Sequence, residues 1–500
     1  MDLYSSDKLD GCIECTLETK SSIFVPNTTR TFEYGFNEFF SYDDLSGRKK
    51  EDIPKENPKY PRIPGSEIRG MVRSIYEQLT DSCLSVIDDK NLAVKRSAKP
   101  KEAGIWDREN DILYKAKRKK IGFYKLKKLG YKKGKNYITG SDVYITCNED
   151  DYVIEEDLKF FEGATKGIVI KGEKFNNKKN ESVLIFPEKE DIVKDKLSQQ
   201  DKDRFQAVLD RYDNGYDDYK NAYYNSDIRY LPVFYEMVED KLYLAPAMMT
   251  KEVFENTISE ILEHNHFKHH ACNSNTGFCP ACRLFGTIAD KKSLASRLRF
   301  TDTEVFENVE FDVPRLIPVL GTPKYSSTEF YLKKPKDSQA AMWNYDYYTV
   351  NKEGDKGIKK LATYKAKLKG RKAYWQGSDK LKNERNLDAQ KLFEKDNQSK
   401  TGENNIKIRS AGRALMPGAK TRFKVYFEDI TEEELAALLY SLTLGNDCNH
   451  RIGRGKPYGM GAVKLNVEKL NLRTYSFDGG ELSITENEVD HKSYKMKDLW

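Results

Sequence analysis

The chain has no apolar run long enough to cross a bilayer, so no membrane-spanning helix is expected. Its first twenty residues, MDLYSSDKLDGCIECTLETK, have neither a basic start nor an apolar centre, and no secretory leader is expected there. Histidine is scarce: 6 in 500 residues, none before His264. The N-terminal half therefore lacks the side chain that most often moves protons near neutral pH. The GxxxxGK[ST] spacing of a nucleotide-binding P-loop is absent. So is a large excess of one charge. Against 79 acidic residues stand 85 Lys and Arg, a net of +6, which excludes a uniformly basic nucleic-acid coat. Cysteine is sparse and uneven, with three of the eight inside eleven residues. That distribution argues against a disulfide framework and for a reducing, cytoplasmic setting.

What is present is charge in clusters, tyrosine in abundance and a few glycine-punctuated segments. Five hundred residues allow about three modules. The segment YPRIPGSEIRGMVRSIYEQL (60–79) opens with a stiff entry at Pro61 and Pro64. Gly65 permits a turn and Ser66 is a good N-cap. Ile68, Met71, Val72, Ile75, Tyr76 and Leu79 then recur at helical spacing, giving one buried face. Arg69 and Arg73 share another face near the helix start. Turn N–H groups, a helix N-terminus and two arginines together make an anion site. The alternative is an ordinary amphipathic helix with solvated arginines.

From Arg108 to Lys135 there are twelve Lys or Arg residues, with Tyr114, Phe123, Tyr124 and Tyr131 among them. Such a run neutralises phosphate and offers stacking faces, or else forms lysine-edged strands in an insertion. Further on, Leu231–Pro246 reads as a hairpin and Lys251–Glu263 as a helix with Phe254, Ile258, Ile261 and Leu262 inward. The cluster HNHFKHHACNSNTGFCPAC follows (264–282). Cys279-Pro-Ala-Cys282 has zinc-knuckle spacing, because two thiolates from one tight turn can ligate one tetrahedral ion. Cys272 supplies a third ligand, and His269 or His270 a fourth; we take His269, with a structural zinc as the cofactor. Free thiols beside a histidine-rich surface segment are the alternative.

Near the end, TRFKVYFE (421–428) alternates as a strand. Thr431 and Glu434 form a capping box opening a helix to Leu444. HRIGRGKPYGMGAVKLNV (450–467) places Gly453, Gly455, Gly459 and Gly461 among Arg451, Arg454 and Lys456. A basic glycine loop lets backbone approach phosphate closely. Strand, helix, glycine loop, strand is half of a ferredoxin-like fold.

Three of these segments, IPGSEIRGMVR, CPACRLFGT with SRLRFTD, and GRGKPYGMGAV, resemble in that order the motifs of the CRISPR RAMP superfamily of type III effector complexes. The length is similar to that of the large, insertion-bearing members. The resemblance implies an α+β fold, an RRM-like (ferredoxin-like) palm with large insertions and a zinc-stabilised loop. It implies crRNA held by Ser66, Arg69, Arg73, Arg454 and Lys456, with crRNA, target RNA and other CRISPR effector subunits as partners. In the family's backbone subunits an aspartate before the turn supports metal-dependent target cleavage, which points to Asp43 or Asp44 and a divalent ion such as magnesium. A stand-alone endoribonuclease processing precursor crRNA, or an inactive zinc-stabilised scaffold, are the other readings. The missing N-terminal histidine counts against the first of these. The expected organisation is an N-terminal palm part (1–89), a basic strand-rich insertion (90–225) and a palm or lid segment with the zinc loop (226–310). A second insertion (311–405), a C-terminal palm part (406–470) and a tail (471–500) follow.

Overall fold

The computed structural model describes residues 8–32, 35–49, 53–85, 87, 92–96, 100–122, 137–148, 151–154, 165–171, 180–186, 191–210, 217–249, 251–264, 270–272, 277–288, 293–317, 327–336, 340–346, 348–353, 356–361, 366–374, 410–445, 448–478 and 480–496. The chain divides into two units, one of residues 1–87, 268–322 and 371–500, the other of 88–267 and 323–370. Both mix helices with curled antiparallel sheets.

The first unit is organised around the strand Leu9–Thr19. It lies between Lys420–Ile430 and Ala462–Asp478, antiparallel to both. Leu298–Phe300 flanks Lys420–Ile430, and His450–Arg451 pairs with Ala462–Asp478. Period-two alternation decides the faces. Ile13, Cys15 and Leu17 are buried, whereas Glu14, Thr16 and Glu18 lie half-buried on the opposite face. The helices Gly65–Leu79 and Glu432–Thr443 share the buried core through Ile68, Val72 and Tyr76 and through Leu435, Leu438 and Leu442. The second helix starts where the capping box predicts: Thr431 Oγ1 accepts from Glu434 N at 3.2 Å, and the Glu434 carboxylate accepts from Thr431 N at 3.1 Å.

Within the segment expected as a tail (471–500), the described strands carry that sheet onward. Ala462–Asp478 continues past the core and returns as Glu481–Val489. Tyr475, Phe477, Leu482 and Ile484 are exposed along this arm. Its alternation belongs to a two-stranded ribbon, a pattern too short and too polar on one face to read as a core strand.

The second unit holds two five-stranded antiparallel sheets. One has the order Lys117–Gly122, Asn180–Ile185, Thr165–Ile170, Asp142–Asn148, Asp151–Ile154. The other runs Ile192–Lys194, Ile112–Lys115, Glu102–Asp107, Tyr230–Val238, Lys241–Ala245. The chain crosses from one sheet to the other at Ala116. Helices Gln199–Asp210 and Asp217–Tyr224 bury Phe205, Leu209 and Tyr219 in the same core as Ile105, Leu113 and Val233. The expected Leu231–Pro246 hairpin forms, turning at Glu239 with φ 55°. The expected helix over Lys251–Glu263 does not begin at Lys251. Lys251–Thr257 is a strand paired with Leu92–Arg96, and only Ile258–His264 is helical. The cause is local: Thr257 and Glu260 exchange backbone and side-chain bonds of 2.6 and 3.1 Å, a cap that fixes the helix start.

Candidate nucleic-acid interface and metal centre

The helix after the Pro-Gly turn starts at Gly65, with Pro64 as its N-cap. Ser66, expected as the cap, lies inside the first turn and is exposed. The capping oxygen comes from the segment just after the strand Leu298–Phe300: Asp302 Oδ1 accepts from Gly65 N at 2.7 Å. Thr303 Oγ1 accepts from Ile63 N at 2.9 Å, and Arg62 donates to Thr303 O at 2.9 Å while lying 4.9 Å over the Tyr42 ring. The Tyr42 hydroxyl donates to Asp302. A side chain at Gly65 would meet Phe300 O at 2.4 Å, so glycine is what lets the turn seat against that strand. The positive helix end therefore already faces a carboxylate of the protein itself.

Arg69 and Arg73 also turn inward. Arg69 donates to Phe285 O and lies 5.8 Å from the Phe285 ring centroid. Arg73 pairs with Glu77 at 2.8 Å, donates to Gly286 O at 3.1 Å and reaches Cys282 Sγ at 4.0 Å. Burial, and then the neighbouring Arg73, lower the Arg69 pKa. Both guanidinium groups bind the carbonyls ending the short helix Pro280–Phe285, where cations are favoured.

The glycine loop differs. Gly453, Gly455, Gly459 and Gly461 all have φ between 75° and 87°. A Cβ at Gly453 would lie 2.5 Å from Phe24 O, and one at Gly461 2.1 Å from Ile452 O. Arg454 N donates to Phe24 O at 2.8 Å and Gly461 N to Ser22 O at 2.9 Å, so the loop is bolted to residues 22–25. The Arg454 side chain is exposed and that of Lys456 half-exposed. Among the described residues, neither has a carboxylate within ion-pair distance.

Backbone bonds connect this loop to the Pro-Gly turn. Phe40 N donates to Val25 O at 2.8 Å and Arg62 N to Phe40 O at 2.9 Å. Loop, residues 22–25, Phe40 and Arg62 are thus linked one to the next by backbone hydrogen bonds.

Four sulfurs converge beneath the turn-helix. Cys83, Cys272, Cys279 and Cys282 place their Sγ atoms within 4.8 Å of one another. Cys83 Sγ and Cys282 Sγ are 3.6 Å apart, against about 3.8 Å for two thiolates on a tetrahedral ion with 2.3 Å bonds. Cys272 Sγ accepts from Cys279 N at 3.2 Å and Cys279 Sγ from Cys282 N at 3.5 Å. S–H groups of Cys282 and Cys83 hold the Cys279 thiol well below the ordinary range. Around them, Ser82 Oγ accepts from Ala281 N at 3.1 Å, and Arg371 donates to the Ser82 and Cys83 carbonyls. Donor number, donor type and spacing fit a structural metal ion, with no position left for substrate. His269, named from the sequence, lies outside the described residues. Cys83 supplies the fourth sulfur. Nothing in its own segment signals this, because it is 189 residues before Cys272 in the chain and 199 before Cys282.

The two candidate catalytic carboxylates are unlike. Asp43 is half-buried, and its Oδ2 accepts from Lys59 N at 2.8 Å, closing the loop before the turn. Asp44 is exposed, and its Oδ1 accepts from Ser46 N at 2.9 Å, which lowers its pKa.

A family model, the RAMP superfamily, matches residues 16–265 and 254–464. The chain belongs to this superfamily. It is a CRISPR-associated RAMP protein. Among solved structures it is similar to the crystal structure of Thermofilum pendens Csc2, at 12% identity and a TM-score of 0.15, over 80% of this chain and 74% of that one. No curated protein matches the sequence. Among the described residues no helix is long and apolar enough to cross a membrane.

Proposed function

We propose that the chain is a crRNA-binding subunit of a type III CRISPR effector complex, working with target RNA and neighbouring effector subunits. The observation that carries this is the glycine loop. It is a backbone-anchored, left-handed turn presenting Arg454 and Lys456, neither with an acidic partner among the described residues, and backbone bonds link it through residues 22–25 and Phe40 to Arg62 before the Pro-Gly turn. Such a loop brings two cations and a side-chain-free stretch of backbone close to a ribose-phosphate strand. Ser66, exposed on the first helical turn, extends the contact. Arg69 and Arg73 act through position, fixing the helix to the cysteine segment.

The sheet order supports reading the palm as ferredoxin-like. Strand, helix, strand, strand, helix, strand runs along the chain, and Leu298–Phe300, Lys420–Ile430, Leu9–Thr19, Ala462–Asp478 lie side by side. Zinc is the metal that four cysteines favour, held by Cys83, Cys272, Cys279 and Cys282. Bound there it ties a polar segment to the helix and supplies no chemistry to RNA. Metal-dependent cleavage of target RNA is the activity the resemblance adds, and Asp44 is the carboxylate open enough to meet a divalent ion.

The test is co-expression with its genomic neighbours and sequencing of the RNA that copurifies. RNA of uniform length, lost from Arg454→Ala/Lys456→Ala while the complex still assembles, is the expected result. RNA of random length, or full retention by that variant, refutes the reading. Cleavage at regular intervals that needs magnesium and vanishes in Asp44→Asn establishes the nuclease; intact target throughout leaves binding alone.

A further inference from the structure

The second unit carries a cationic pocket that the glycine loop and turn do not explain. It has a volume of about 400 Å³ and lies where the chain passes from one sheet to the other at Ala116. Ala103 and Ala116, joined by an N–H to carbonyl bond of 2.9 Å, leave the space, and Phe234 and Met248 line it. Lys101, Lys115, Arg118 and Lys120 converge on it, with Glu102 as the acidic wall residue.

These cations are not equivalent. Lys101 is buried and pairs with Glu236 at 3.3 Å. Lys115 faces Glu102 at 3.8 Å with both side chains more than half exposed, a weak pair. Arg118 and Lys120 alternate onto the same face of the strand Lys117–Gly122. Arg118 donates to Ser182 Oγ at 2.8 Å and to Met248 Sδ at 3.3 Å, which aims its guanidinium while leaving its charge unneutralised. Among the described residues neither Arg118 nor Lys120 has a carboxylate within ion-pair distance. Burial lowers the Arg118 pKa with no opposing acidic cause. A half-buried, oriented guanidinium on the same strand face as an exposed ammonium is a good receptor for a phosphodiester, since the guanidinium has N–H donors beyond the two already used and the lysine adds a point charge.

We propose that this pocket binds a backbone phosphate of RNA, giving the inserted unit its own grip on the strand. The inference rests on the RNA-binding reading of the chain. Phe234 is buried, so the contact is to phosphate and not by base stacking.

The experiment titrates full-length wild type, Arg118→Gln/Lys120→Gln and Arg454→Ala/Lys456→Ala with a labelled 30-nucleotide single-stranded RNA at several salt concentrations. Circular dichroism checks each fold. The pocket variant is expected to bind roughly tenfold more weakly. Its log K against log salt slope should fall by about 0.7, the value for one lost single-strand phosphate contact. Should Arg118→Gln unfold the unit, the exposed single variant Lys120→Glu carries the test, with an expected loss of threefold or more. Unchanged affinity and slope in the pocket variant, while the glycine-loop variant weakens, overturns the pocket alone. Full RNA binding with loss of affinity for polyglutamate assigns it to acidic protein and also overturns it. No RNA binding by wild type overturns this inference together with the RNA-binding reading.

Discussion

Replacing Cys83 by serine is the sharpest test of the metal centre, because nothing near residue 83 in the sequence points to a metal. Structural zinc in small domains contributes an apparent ~10–16 kcal/mol through four ligands, so one thiolate accounts for about 2.5–4 kcal/mol. That corresponds to a metal affinity weaker by about 10²–10³. With zinc in excess for wild type, mass action converts a hundredfold loss into about 2.7 kcal/mol of stability. For a unit of this size Tm should drop by about 5–10 °C. The assay pairs zinc stoichiometry by mass spectrometry with thermal unfolding, before and after chelation. Wild type should hold one zinc and lose most of the Tm difference from Cys83→Ser once stripped, leaving only the small cost of burying a hydroxyl where a thiol stood. His269→Ala should leave metal content unchanged. Equal zinc content and equal chelator sensitivity in wild type and Cys83→Ser would refute a four-sulfur site.

The capping of the turn-helix by Asp302 gives a second expectation. Asp302→Ala removes a charge-assisted bond to Gly65 N at 2.7 Å and should cost about 2–3 kcal/mol in urea unfolding. An unchanged midpoint would remove Asp302 from the account. His450 gives a third. It is buried with Nε2 against Ser441 O at 2.8 Å, and burial pushes its pKa down to about 4. The carbonyl accepts, so Nδ1 carries the lone pair, and that atom has no hydrogen-bond partner among the described residues. A histidine lowered in the folded state is protonated first in the unfolded chain. Its contribution is intact above about pH 6.5 and is lost as pH falls toward 4. The total is about 3 kcal/mol at 1.36 kcal/mol per pKa unit. Urea midpoints at pH 7.5 and 5 should separate for wild type and converge for His450→Gln; equal slopes in both would assign the acid sensitivity elsewhere.

The elements whose causes are local were legible in the sequence. The period-two strand around Ile13, the helical stripe from Ile68 to Tyr76, the Thr431–Glu434 box and the glycine loop at 453–461 each follow from neighbours a few residues away. Cys279 and Cys282 were legible for the same reason, since one turn presents both. Tertiary structure decided the rest, because the groups involved are hundreds of residues apart. Only folding brings Cys83 to Cys282, or places Asp302 on the Gly65 amide where Ser66 was the local candidate. Only folding directs Arg69 and Arg73 onto the Phe285 and Gly286 carbonyls. Charge spacing along a helix says which residues share a face. It does not say whether that face meets solvent, phosphate or a carbonyl of the same chain, and here packing against the helix Pro280–Phe285 chose the carbonyls.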